Sequence, residues 1–206
     1  MTAQSPLPDT RALEILEQVK AVFAQKGFDG ASMQDLARAA GMSAGNFYRY
    51  FPSKDAIVES LVQHDLRDVG TIFAHILASG DPRAAFLEAL RFELTNKGDC
   101  DGPLWAEIEA ASLRKPEIAA ISRRMEDEVE RFLVRVFALL AQVPEAEAQE
   151  RFCTEARFFV ILFKGVAMQP DRDPRLIDLA IITVDRMLDG IIAPGAARPS
   201  LFSAAE

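Results

Sequence analysis

The chain has 206 residues, 50% hydrophobic and 26% charged, which is enough to bury a substantial core and marks a protein built for water. Its net charge of −8 excludes a globally basic nucleic-acid binder, and residues 1–60 hold six basic and seven acidic side chains, so the acidic excess lies beyond them. Cys100 and Cys153 have no metal-type spacing, which predicts a reduced, cytoplasmic setting. Met1 to Pro6 has neither a basic start nor an apolar core and predicts no signal peptide. Apolar runs such as Phe158 to Phe163 are far too short to span a bilayer.

Helical spacing dominates, and no strand pattern of useful length occurs. A first helix is predicted from Thr10 to Lys26, with Ala12, Ile15, Leu16, Val19, Val22 and Phe23 on one face, Pro8-Asp9 as a start signal and Gly27 as a stop. Ser32-Met33-Gln34-Asp35 reads as a capping box opening a second helix that ends at Gly41. Ser43 caps a short third helix that stops before Pro52, and Ser53 caps a fourth. Two short helices joined by Ala40-Gly41-Met42-Ser43 match a helix-turn-helix.

The fourth helix keeps its apolar period to Gly80, and so links a head to a body. Further helices are predicted from Pro82 to Asn96, Pro103 to Arg114, Pro116 to Gln142, then from Pro144 and from Asp173-Pro174, with a frayed tail after Ala193. The eighth and ninth are apolar nearly all round and therefore need burial on every side. This predicts a dimer interface through Phe158, Phe159, Leu162, Phe163, Leu176, Ile177, Ala180, Ile181 and Val184. The fold is expected to be all-α, with a helix-turn-helix DNA-binding domain over residues 1–54 and a larger helical ligand-binding and dimerisation domain over residues 55–206.

The run Gly41-Met42-Ser43-Ala44-Gly45-Asn46-Phe47-Tyr48-Arg49-Tyr50-Phe51-Pro52-Ser53-Lys54-Asp55, preceded by Ser32 to Ala37 and by Val22 to Phe28, resembles the tetracycline-repressor (TetR) family over about 50 residues. The resemblance implies a third helix in the major groove, with Ala44, Gly45 and Asn46 near base edges. It also implies phosphate contacts from Tyr48, Tyr50, Lys54 and Ser32. Gln34 stands where many relatives carry arginine. Ser43 and Arg49 complete the expected DNA-facing set. The residue chemistry agrees: hydroxyls and an ammonium suit phosphates, Gly45 permits close backbone approach, Ala44 suits a thymine methyl, and Asn46 is taken as the one bidentate base reader.

The expected function is repression by a homodimer on a pseudo-palindromic double-stranded operator, relieved by an apolar or amphipathic small molecule. Phe86, Leu90, Leu104, Trp105, Ile108, Phe132 and Phe159 are candidate pocket residues, although large aromatics also simply fill cores. Phe47 and Phe51 read as core. His64 and His75, about three turns apart, cannot share a metal, and Cys153 reads as a small buried hydrophobe. Cys100, between Asp99 and Asp101, is poorly placed for thiolate chemistry. Glu107 and Glu109 read as surface charges, or as partners of a cationic ligand. No nucleophile–base pair, phosphate loop or metal signature is present, so no enzyme, cofactor, metal or membrane partner is expected. The alternatives are an activator, or an all-helical carrier or enzyme with an incidental helix-turn-helix.

Overall fold

The computed structural model describes residues 10–96, 101–169, 171 and 173–193. The expectations for Pro8-Asp9, Cys100 and the tail beyond Ala193 fall outside them. Among the described residues there are nine α-helices and no strand: α1 (Thr10–Gly30), α2 (Met33–Ala39), α3 (Ala44–Tyr50), α4 (Lys54–Ala78), α5 (Pro82–Asn96), α6 (Asp101–Ser112), α7 (Pro116–Ala141), α8 (Glu145–Ala167) and α9 (Pro174–Ile192).

The starts and stops follow local chemistry. Gly27 breaks α1 at φ 72° and ψ 166°, a backbone region essentially reserved for glycine, so the regular helix ends where Gly27 predicts. Ser32 Oγ accepts the Asp35 N–H at 3.1 Å while Asp35 Oδ2 accepts the Ser32 N–H at 3.1 Å, which completes the capping box of α2. Gly41 turns at φ 64°, and Ser43 caps α3. Ser53 Oγ takes the Ala56 N–H at 3.2 Å to open α4. Asp173 caps α9, with Pro174 in its first turn.

The chain divides into two compact units. One is drawn from Met1–Val69, Asn96–Glu128 and Ala167–Asp171, the other from Gly70–Thr95, Val129–Val166 and Arg172–Glu206. α4, α7 and α8 contribute residues to both.

In the first unit, Ile15, Leu16, Val19 and Phe23 of α1 meet Leu36, Phe47, Phe51, Ile57 and Leu61 in one buried cluster. Each such side chain contributes about 1.5–3 kcal/mol by leaving water, so a charge at Leu16 would undo the head. The cluster continues into Leu104, Ile108 and Ala111 of α6 and Ile118 and Ile121 of α7. Periodicity shows which face of α6 is apolar but not which helix covers it; here it is α1.

In the second unit, phenylalanine rings form a continuous series. Phe132 stacks on Phe73 at 5.4 Å, Phe73 meets Phe86 at 6.3 Å, Phe86 meets Phe159 at 5.2 Å, and Phe159 stacks on Phe163 at 6.2 Å. Arg83 ties α5 to α9 through Asp185 and Asp189, at 2.5 and 2.7 Å. No helix among the described residues is long and apolar enough to cross a membrane.

Candidate nucleic-acid interface

α3 has only seven residues, too few to hold itself together in water. Its inner face supplies the stability. Phe47 is wholly buried, its ring lies 5.7 Å from that of buried Phe51, and Tyr50 packs half-buried beside them. Ser43 Oγ accepts the Asn46 N–H at 3.4 Å and fixes the first turn. The remaining side chains face water: Ala44, Asn46, Tyr48 and Arg49, with bare Gly45 among them. A Cβ built on Gly45 meets nothing within 4 Å, so the fold itself does not require glycine there.

Gln34 and Ser32 are exposed on α2, next to this face in sequence order. The Ser32 hydroxyl also donates to Asp35 Oδ2 at 2.7 Å, so its first task is the cap. The Asp35 carboxyl lies well below the usual carboxylate range, held there by the Lys26 ammonium and then by the Ser32 hydroxyl and amide.

Lys54 has a different task from the phosphate contact expected of it. Its Nζ donates to the carbonyls of Phe28, Asp29 and Ala31 at 2.6, 3.3 and 3.1 Å, and it lies over the Phe28 ring at 4.9 Å. An ammonium has three donors, and all are used in tying the end of α1 to the start of α4. Most other basic side chains of the head are also engaged. Arg11 meets Glu14 at 2.7 Å, Lys20 meets Glu17 and Asp101, and Lys26 meets Asp35. Burial works against the charged form of Lys20, but the bond to Glu17 and the charge of Asp101 outweigh it and raise its pKa. Arg38 touches Asp35 only at 3.6 Å and is 79% exposed, and Arg49 pairs with no described residue.

The α1–α2 corner is gripped from α6 and from the connection between α6 and α7. Glu107 Oε2 accepts the Phe28 N–H at 3.2 Å and lies 2.8 Å from where a Gly27 Cβ would stand. Arg114 and Lys115 bind Asp29 at 3.1 and 3.0 Å. Hydrogen bonds from Lys115 and then Arg114 lower the Asp29 pKa. Glu107 is therefore a structural clasp in this structure, a role that its sequence setting beside Trp105 did not announce.

Residues 15–61 match the family described as "Bacterial regulatory proteins, tetR family". The head carries the TetR-family domain. TetR-family likeness is strongest in the head. The chain is 38% identical over 77 residues to the HTH-type transcriptional regulator YuxN of Bacillus subtilis (strain 168), covering 37% of this chain and 26% of that one. It is 35% identical over 80 residues to the HTH-type transcriptional repressor KstR2 of Rhodococcus jostii (strain RHA1), covering 39% of each. The aligned part thus spans well under half the length of these curated relatives. Both relatives are named as transcriptional regulators. The fold extends further: the structure of Salmonella enterica GusR matches with a TM-score of 0.73 at 24% identity, covering 92% of this chain and 98% of that one.

Beyond the head the structure separates the candidate pocket residues. Leu104 and Ile108 are buried, with Trp105 packed against them, in the core of the first unit beneath α1. Phe86, Leu90, Phe132 and Phe159 belong to the second unit, where Phe86, Phe132 and Phe159 join the phenylalanine series and Leu90 is buried. The candidate dimer residues also divide. Phe159, Ile177, Ala180, Ile181 and Val184 are buried by the chain's own packing. Leu162 and Phe163 are half-buried, and Phe158 and Leu176 are exposed. Exposed alongside them are Ile161, Leu179 and Ile182, which sequence reasoning did not select. Helical phase was the missing signal: a helix apolar all round does not say which stripe its own fold covers.

Proposed function

We propose that the chain is a ligand-relieved transcriptional repressor that acts in the cytoplasm as a homodimer on a pseudo-palindromic operator. The observation that carries this reading is the outer face of α3, where Ala44, Gly45, Asn46, Tyr48 and Arg49 stand exposed on a helix anchored from below by Phe47 and Phe51. Residues 1–54 supply the DNA-reading surface and residues 55–206 the effector-binding and dimerising body. Asn46, Ala44 and Gly45 face base edges, Tyr48 and Arg38 meet phosphates, and Ser32, Ser43, Gln34 and Tyr50 set the approach. Lys54 acts by holding the head's shape. The name of KstR2 favours repression over activation.

The dimer forms through the exposed apolar stripe of α8 and α9: Phe158, Ile161, Leu176, Leu179 and Ile182. The effector is an apolar or amphipathic small molecule, and the aromatic series Phe73–Phe86–Phe159 of the second unit is its candidate lining. Its binding reaches DNA through α4, the helix that contributes residues to both units. A coupling of about 1–3 kcal/mol changes affinity roughly 5- to 150-fold, and the effect is reciprocal.

The test is fluorescence anisotropy of the full chain on a labelled duplex from the DNA flanking its own gene, with a reporter for repression. Submicromolar, sequence-selective binding and a silenced reporter are expected. Binding no tighter than to random duplex would overturn the proposal. Metabolites that raise thermal stability are then titrated with and without the duplex. Equal effector affinities in both titrations would remove the ligand-relief part.

A further inference from the structure

We infer that Arg49 reads a guanine in each operator half-site and is a specificity residue, not a phosphate anchor. This rests on the DNA-binding reading above. Arg49 lies two residues beyond Phe47, about 200° around a helix of 3.6 residues per turn. Phe47 is fully buried, so Arg49 points from the opposite side of α3, at the middle of the exposed face. Side chains on a helix lean towards its N-terminus, over the residue four positions back. For Arg49 that residue is Gly45, which has no side chain to obstruct it. The guanidinium therefore has a clear path along the groove-facing surface. It also stands three positions from Asn46, close enough for the two forks to read neighbouring base pairs.

Availability points the same way. Arg49 makes no hydrogen bond or ion pair with a described residue, whereas Arg11, Lys20, Lys26 and Lys54 are bound within the protein. A planar five-donor fork matches guanine O6 and N7 in a fixed geometry, whereas a lysine ammonium can reach the same acceptors only as a rotatable point charge. The sequence-based view that Asn46 alone reads bases bidentately is thereby extended to two readers. Arg38, exposed at the end of α2, supplies the contrast: its place at the rim suits a phosphate.

The experiment selects binding sites from a library of random 30-base-pair duplexes with the full-length wild type and with Arg49→Lys, Arg49→Ala and Arg38→Ala. Salt titrations on the wild-type consensus accompany the selection, and circular dichroism verifies folding, which an exposed unpaired side chain should not disturb. The wild type is expected to enrich an inverted repeat with one fixed G·C pair per half-site. Arg49→Ala should flatten that column, cutting discrimination there roughly 5- to 150-fold, while Arg49→Lys keeps the charge but not the fork and should weaken the column less, with the salt slope unchanged. Arg38→Ala should keep every column and make the salt slope shallower by about 2 for the dimer. An Arg49→Ala protein that keeps the wild-type consensus, or that weakens on all duplexes alike, overturns the inference while leaving DNA binding intact. A folded wild type that enriches no sequence overturns the DNA reading itself.

Discussion

Replacing Gly27 by alanine should be among the most damaging single-methyl changes in the molecule, and its cost can be apportioned. At φ 72° and ψ 166° an L side chain is strained by about 1–3 kcal/mol. The added Cβ would lie 2.8 Å from Glu107 Oε2, the end of a flexible side chain, so Glu107 swings aside. It then loses the Phe28 N–H it holds at 3.2 Å, a charged hydrogen bond worth about 1.5–3 kcal/mol. Gly27→Ala should therefore destabilise the head by about 2.5–6 kcal/mol. Glu107→Ala alone should cost about 1.5–3 kcal/mol for the same lost bond. In the double variant that bond is lost only once, so Glu107→Ala should cost almost nothing in the Gly27→Ala background. Urea unfolding followed by circular dichroism measures all four corners of the cycle. Equal costs for Glu107→Ala in both backgrounds would refute the clasp.

Gly45→Ala should move stability and binding in opposite directions: the fold gains about 0.5–1 kcal/mol of helix propensity, while the new methyl stands in the groove and weakens specific DNA binding. With Arg49 unpaired among the described residues and Arg38 held by a 3.6 Å contact to Asp35 in each head, the dimer should show a log–log salt slope of about −2 to −4, read by anisotropy between 50 and 200 mM salt; a slope steeper than about −8 would mean the shorter internal ion pairs open on DNA. Ile161→Glu with Leu179→Glu should give folded monomers in sedimentation, since both are exposed, whereas Ile181→Glu should unfold the second unit by burying a charge. Asp35 has a lowered folded pKa, so its stabilising contribution is complete above the ordinary value of 3.8 and is lost as pH falls through the folded pKa. The difference in melting temperature between wild type and Asp35→Asn should accordingly be largest near neutrality and shrink below about pH 4.

Helix number, order and most boundaries were legible because punctuation in this chain is local. Gly27, Ser32, Ser43, Ser53 and Asp173 act within four residues of themselves, and each does in the structure what its chemistry predicts. The outer face of α3 was legible for the same reason, being set by the burial of Phe47 and Phe51 close by. What failed to show was tertiary. Lys54 looks like a free cation until Phe28, Asp29 and Ala31, more than twenty residues away in sequence, bring it three carbonyls. Glu107 and Phe28 are 79 residues apart. Ile181 and Ile182 are adjacent and chemically alike, yet one is buried and the other is exposed, and only the packing of α9 decides which.

The sharing of one core by α1 and α6 limits how such a regulator can be recombined. A chimaera cut after residue 54 would join one parent's α1 to another parent's α6, and with them Lys20 to a foreign Asp101, Asp29 to a foreign Arg114 and Lys115, and Phe28 to a foreign Glu107. The outer face of α3, by contrast, touches none of these contacts. New operator preferences can therefore be written into Ala44, Gly45, Asn46 and Arg49 by substitution, whereas borrowing a whole head requires α6 to come with it.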